Sequence, residues 1–221
     1  MSYITYEYSI INFETSWILQ KSLLFRKKLK IIKDKKYRTL PNLAIILKHP
    51  YIYTSSFKKI DISSNFHMVM KIINFHTIDR GGKISYHDSG QIICYCITDL
   101  LIYQNNLKKY LNILHSLIKK LLSLYKIKTS QFESSHLPGI WLQNSKIASI
   151  GIKIINWISM HGFSINLNIN LKNIKDINLC GIPRINSINF IKLMHKISDN
   201  QIKYRLILTI KTNKCLLMFN K

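Results

Sequence analysis

Two side chains far apart in the chain have types that could carry acyl transfer. Cys180 is a lone thiol followed by Gly181, in the polar, helix-poor stretch 178–183, where packing supplies no reason for a cysteine. A thiol beside a flexible glycine can be presented to a substrate. Lys146 lies upstream within 145–151, among small residues and Gly151 rather than other charges. A thiol and an amine together point to covalent acyl chemistry. A third cluster, Arg80-Gly81-Gly82-Lys83-Ile84-Ser85-Tyr86-His87, runs on into Asp88-Ser89-Gly90-Gln91. Its paired glycines let backbone approach a ligand closely, and Arg80 can hold a phosphate or a carbonyl.

The elements that must position these residues are legible in outline. Apolar spacing predicts a helix over 13–29, followed by a basic stretch, 27–38, that reads as a solvated loop with helix-end lysines. The apolar run 43–47, bounded by Pro41 and Pro50, reads as a buried strand, and 54–56 as a loop after it. A second strand is expected over 91–98, rich in β-branched and aromatic residues. Within it Cys94 and Cys96 alternate on one side and should pack as small apolar residues. From Leu107 to Leu122 apolar residues recur at three and four positions, one face of a helix, with His115 beside it. Strands are expected at 140–142, 146–159 and 163–169, with Gly151 at a bulge and Gly162 at a turn. A further helix is expected over 189–197. Strands before and after a long helix give an α/β (α+β) class with a mixed sheet flanked by helices, and the length of 221 residues is expected to form one domain over 1–221.

Composition narrows the function class. With 47% hydrophobic residues the chain can bury a substantial core. Glu7 and Glu14 interrupt the start and no apolar run approaches ~18 residues, so no signal or membrane span is expected and the reading is cytoplasmic. Four cysteines are too few for a disulfide scaffold, and Cys94 with Cys96 lacks the further ligands of a zinc site, so no metal is expected. The net charge of +23 would attract a polyanion or an acidic partner. Lysine, isoleucine and asparagine dominate throughout, however, which fits coding bias better. No interleaved aromatic or binding motif supports nucleic acid.

Taken as a set, 80–91 together with Pro138-Gly139-Ile140-Trp141, Lys146-Ile147-Ala148-Ser149-Ile150-Gly151, His161-Gly162-Phe163-Ser164-Ile165-Asn166 and Cys180-Gly181-Ile182 resembles the octanoyltransferases of lipoate biosynthesis, in order and spacing, across roughly 43–182. The resemblance implies a fold like the catalytic domains of biotin and lipoate protein ligases and no cofactor. Its implied donor is octanoyl-acyl carrier protein. The implied acceptors are lysines of the lipoyl domains of 2-oxoacid dehydrogenase complexes and of the glycine cleavage H protein. Carried over, Cys180 is the acyl-accepting nucleophile and Lys146 lowers its pKa and handles protons. Arg80, Gly81, Gly82, Lys83, Ile84, Ser85, Tyr86 and His87 line the acyl and pantetheine end, while Ser149, Ile150, Gly151, Gly162, Phe163 and Ser164 supply facing backbone. An octanoyl slot lined by Ile84, Ile150 and Phe163 is expected from position.

Several positions depart from the family pattern. Asp88-Ser89-Gly90-Gln91 stands where Gly-Pro-Gly-Gln is usual, Leu179 where proline is, Ser55-Ser56 where a glycine is expected, and Lys153 where arginine is commoner. His87-Asp88 reads more like the ATP-dependent lipoate or octanoate protein ligases, the alternative activity. Those enzymes need no nucleophilic thiol, so Cys180 favours the transferase.

Overall fold

The most strongly patterned segment forms the helix that roofs the core. In the computed structural model, which describes residues 3–33, 41–56, 74–81, 84–129, 139–175, 186–194 and 197–212, a helix spans Leu107–Ser123. Its buried residues Tyr110, Ile113, Leu114, Leu117, Ile118, Leu121 and Leu122 follow the three-and-four spacing of one face. Asn106 caps it by accepting from Lys109 N at 2.9 Å. His115 hydrogen-bonds its own helix, at Leu111 O.

In chain order the elements are β1 (Tyr3–Ile10), α1 (Phe13–Lys33), β2 (Asn42–Lys48), β3 (Ile52–Ser56), β4 (Phe75–Ile78), β5 (Ser85–His87), β6 (Gln91–Ile97) and α2 (Leu107–Ser123). They continue as β7 (Gly139–Leu142), β8 (Ser145–Ile155), β9 (Ile158–Asn166), α3 (Lys172–Lys175), β10 (Asn186–Ser187) and α4 (Asp199–Thr212). The large sheet has the order β1-β2-β6-β9-β8-β10, with β7 also on β8. It is mixed, because β1 with β2 and β10 with β8 run parallel while the other pairs are antiparallel. A small sheet, β4-β3-β5, stands beside it. No described helix is long and apolar enough to cross a membrane.

Period-two alternation divides the large sheet into two faces. Ile92, Cys94 and Cys96 of β6 and Phe163 and Ile165 of β9 join the α2 and α4 side chains in the main core. Ile93 and Tyr95 turn the other way, against Leu19 and Leu23 of α1. The face of α1 that meets the sheet buries Phe13, Ser16, Gln20, Leu24 and Lys27. Three of these five are polar, which is why an apolar pattern under-reads the helix; it continues past the expected end to Lys33.

Four expectations are corrected. Residues 54–56 are not a loop but part of buried β3, because the segment pairs on both sides, with β4 and with β5. The hairpin turn lies at Asn156 and Trp157, both with positive φ (50° and 63°), rather than at Gly162. Gly162 sits inside β9, and Gly151 pairs opposite it in unbroken register, so Gly151 is not a bulge. Among the described residues of 189–197 there is a 3₁₀ turn, Phe190–Lys192, and the described helix that follows is α4.

Gly162 is glycine for a spatial reason. A Cβ there would stand 2.1 Å from Cys94 O and 3.1 Å from Cys94 C, and backbone in the middle of a sheet cannot yield cheaply. Gly162→Ala is expected to lower unfolding free energy by about 3 kcal/mol; a urea midpoint unchanged from the parent chain would contradict this account.

Candidate active site

Lys146 reaches its place through an irregularity in β8. Gly139 pairs with Ser149 and Ile140 with Ala148, but Trp141 pairs with Lys146, so Ile147 is the extra residue of a bulge. In an unbroken strand the residue two before Ser149 is Ile147, and it would share the face of Ser149. The bulge sends Ile147 into the core and puts Lys146 on that face instead. Gly139, at φ +156°, leaves room for it: a Cβ there would lie 2.4 Å from Lys146 Cε and 3.3 Å from Nζ. The ammonium is also 5.4 Å from the Trp141 ring centroid, within cation–π range, and the residue is only 5% exposed. Two segments separate in sequence, 139–141 and 145–151, thus build one seat for an amine.

Beside Lys146 the same face carries a floor of small residues. Ser149 opposes Ser164 and Gly151 opposes Gly162. Arg80 crosses this floor. A Cβ on Gly151 would sit 3.3 Å from Arg80 Cδ, and Gly81 N donates to Ile152 O at 3.0 Å. The guanidinium is committed to the small sheet, donating to Thr54 O and Oγ1 at 3.0 Å each, and to Gly81 O at 2.9 Å. Arg80 therefore braces the loop across the floor while the small sheet holds its far end.

Polar side chains that the sequence reading left without a role fill the space under α1. His49 hydrogen-bonds Ile11 O at 2.7 Å and the Tyr95 hydroxyl at 2.9 Å. Burial holds its pKa down at about 4 against the opposing Ile11 contact, and burial raises that of Tyr95. His161, 2% exposed, has φ 60°. Regular alternation from Ser159, which bonds Tyr110 on the α2 side at 3.0 Å, would send His161 the same way. The left-handed residue turns it instead toward Tyr95, ring centroids 6.1 Å apart, and Asp79, at 3.4 Å. Its backbone N–H goes to Gln20 Oε1 on α1 at 2.8 Å. The His161 hydrogen bond and the Lys153 ammonium at 2.5 Å keep the Asp79 carboxyl well below the usual range, while burial lowers His161. Lys153, at an arginine position of the family pattern, thus pairs with Asp79.

A chain of hydrogen bonds links the small sheet to the strand of Lys146. His87 Nδ1 meets Gln91 Oε1 at 2.9 Å, Gln91 Nε2 donates to Asn166 Oδ1 at 2.9 Å, and Asn166 Nδ2 donates to Lys146 O at 3.3 Å. Gln91 is signalled in sequence as a polar residue opening an otherwise apolar strand.

The expected site residues divide accordingly. Lys146, Ser149, Gly151, Gly162, Ser164, Arg80, Gly81 and His87 are brought to one side of the large sheet. Ile150 and Phe163 point into the core against α2, whereas Ile84 packs with Tyr53, Tyr86 and Ile169. The three do not line one acyl slot, because alternation turns Ile150 and Phe163 together into the core while Ile84 packs in the separate cluster of the small sheet; Ile150 and Phe163 could contribute backbone only. Ser85 pairs with Thr54. Tyr86 is buried and tied to Asp88 at 2.9 Å and to Asn173 of α3 at 2.8 Å. Asp88 accepts from Gly90 N and Asn170 N, so its carboxylate closes the turn that glycine and proline preset in the family pattern. Gly82, Lys83 and Cys180 lie outside the described residues. The described strand that follows Cys180, β10, pairs Asn186 with Ser145 and Ser187 with Lys146. Among the described residues no group of three or more His, Cys, Asp or Glu could hold a metal.

The family model of the lipoyl protein ligase A/B catalytic domain matches residues 57–211. A protein of Cyanidium caldarium named "Probable octanoyltransferase" is 40% identical over 205 residues, 92% of this chain and 92% of its own length. An octanoyltransferase of Nostoc punctiforme is 36% identical over 150 residues, 65% of this chain and 62% of its own. Among solved structures, a bipartite lipoate protein ligase with its E2 lipoyl domain from Thermoplasma acidophilum superposes with a TM-score of 0.69. That match is 11% identical and covers 100% of this chain and 86% of the other, a likeness of fold alone.

The burial of His49 also sets how the fold responds to acid. Its folded pKa lies below the unfolded value of about 6.5, so the unfolded chain takes the proton first, and stability falls as pH drops from about 6.5 toward about 4. Between pH 7 and pH 5 this residue alone should cost about 2 kcal/mol in urea unfolding. His49→Gln should remove that part of the slope, and an identical pH profile in the variant would refute it.

Proposed function

The chain belongs to the lipoyl protein ligase A/B catalytic-domain family, on its octanoyltransferase branch, and we propose that it moves an octanoyl group in two steps through Cys180. In the first step the Cys180 thiolate attacks the carbonyl of octanoyl-acyl carrier protein. The bond to Cys180 forms to give a tetrahedral oxyanion, which collapses as the carbon–sulfur bond to the carrier breaks, and the carrier thiolate leaves, taking a proton from Lys146. In the second step a lysine amine of a lipoyl domain attacks the Cys180 thioester. An amide forms, the Cys180 sulfur leaves as thiolate, and the proton lost by the amine goes to Lys146, restoring its ammonium. The acceptors are the lipoyl domains of 2-oxoacid dehydrogenase complexes and the glycine cleavage H protein.

The observation that carries this reading is the seat of Lys146. A bulge, a glycine and a tryptophan face hold one amine beside a small-residue floor, and β10, which follows Cys180 in the chain, lies along the same strand. A free thiol with pKa about 8.5 is only a few per cent thiolate at neutral pH, and a neighbouring ammonium favours the anion. Sulfur suits the donor, since attack on one thioester yields another of similar energy and keeps the acyl group activated for the amine. The oxyanion at the carbonyl calls for backbone N–H groups, which close approach at glycines permits. The ligase alternative draws on His87-Asp88; the hydrogen bonds of Asp88 with Gly90, Asn170 and Tyr86 support a structural role for this carboxylate.

Incubation with octanoyl-acyl carrier protein should leave one octanoyl group on Cys180, labile to hydroxylamine and absent in Cys180→Ala. Adduct formation without Cys180, or activity that needs ATP and free acid, would sink the mechanism. Lys146→Ala should slow adduct formation about a hundredfold and move the iodoacetamide pH profile upward; an unmoved profile would contradict the activating role.

A further inference from the structure

Three histidines surround the small-residue floor, and the acceptors around each decide which ring nitrogen carries hydrogen. His49 donates Nδ1–H to Ile11 O, a carbonyl that can only accept, so its Nε2 receives the Tyr95 hydroxyl and both nitrogens are used. His161 donates Nε2–H to Asp79. His87 is different. Its Nδ1 faces Gln91 Oε1, and that amide orientation is set from the far end of the chain. Lys146 O accepts only, so the Asn166 atom 3.3 Å away is the amino group, and Asn166 Oδ1 then requires Gln91 Nε2. Gln91 Nε2 also lies 3.4 Å from Tyr86 O, a second pure acceptor. Gln91 Oε1 is left for His87, whose Nδ1 must be the donor. Nε2 therefore carries the lone pair, and it has no hydrogen-bond partner among the described residues.

We propose that Gln91 and Asn166 are positioning residues that hold His87 as its Nδ1–H tautomer, so that Nε2 accepts a hydrogen bond from an amide N–H on the arm of the thioester donor. This rests on the thioester-donor reading above. Burial, and then the neighbouring His49, hold the ring neutral with a pKa of about 3. A ring of such low basicity cannot deprotonate the acceptor lysine, but it can receive an amide N–H, which needs no proton moved. The octanoyl chain offers no N–H, so the contact falls on the arm that carries it. His87 and Lys146 then mark two ends of one connected network, the first gripping the donor and the second serving its sulfur.

The test has two arms. In ¹⁵N spectra of the Cys180→Ala protein, which cannot turn over, His87 should show a protonated Nδ1 and a bare Nε2, and octanoyl-pantetheine should move the Nε2 resonance. Gln91→Glu, which keeps the acceptor oxygen, should preserve the tautomer, whereas Gln91→Leu should lose it; a purely structural role would be hurt by both. With Cys180 present, Gln91→Leu should weaken the donor half-reaction about tenfold through KM and leave octanoyl transfer from preloaded enzyme to a lipoyl domain unchanged. A protonated Nε2 in the parent protein, the same tautomer in Gln91→Leu, or an Nε2 signal indifferent to octanoyl-pantetheine would overturn the proposal. If the parent protein forms no Cys180 adduct, the catalytic reading fails on its own, and the nitrogen spectra still decide the tautomer and the contact.

Discussion

Everything at the site depends on one amine being carried inside a sheet without disrupting it. A lysine on a regular β8 at position 146 would share the parity of Ala148 and Ile150 and would put an ammonium into the core under α2, at a prohibitive desolvation cost. The bulge at Ile147 changes that parity for the residues before it, so an isoleucine fills the core and the lysine emerges on the opposite face. Gly139 then supplies space that any side chain would occupy. The bulge, the glycine and the lysine form one device, and a change in any of them displaces the other two.

The same sheet has to serve two solvents. Its α2 face is packed almost wholly with apolar side chains, whereas its α1 face carries His49, Tyr95, His161, Arg80, Gln91 and Asn166. Buried polar groups cost stability wherever their hydrogen bonds do not close. Here the helix contributes Ser16, Gln20 and Lys27 to that closure: Gln20 takes the His161 N–H, and Lys27 donates to Pro41 O and Asn42 Oδ1. The helix is thus part of the polar scaffold as well as its lid, and its composition follows from what it covers.

This division explains what the sequence disclosed and what it withheld. α2, β2 and β6 were legible because apolar residues recur at the period of the element, and Cys94 and Cys96 pack as alternation required, both buried and free. The site motifs were legible as residue types, and the structure brings Lys146, Ser149, Ser164, Gly151 and Arg80 to one face. Ile84 does not share a slot with Ile150 and Phe163, because the latter two obey their strands' alternation into the core before they obey the motif. A glycine inside a strand pattern signals a bulge or a turn, yet at Gly151 and Gly162 the missing Cβ atoms accommodate Arg80 and the β6 backbone, neighbours distant in sequence. The left-handed His161 leaves no pattern in the strand, and its backbone N–H goes to Gln20 on α1, far away in sequence.

The charge of the chain takes on a different weight from this vantage. A net +23 invites a reading in terms of bulk attraction, but the cations nearest the chemistry are each placed by a specific partner. Arg80 is held by Thr54, Lys153 by Asp79, and Lys146 lies against Trp141 in the space left by Gly139. Burial brings even Lys27, away from the floor, down to about 8, with Asn42 as its acceptor. A charge so placed acts at contact range and is little screened by salt, whereas the exposed lysines act together and are screened within about 10 Å. The chemistry of the site is therefore decoupled from the surface charge, which is free to drift with composition or to favour an acidic partner without altering how Lys146 is seated.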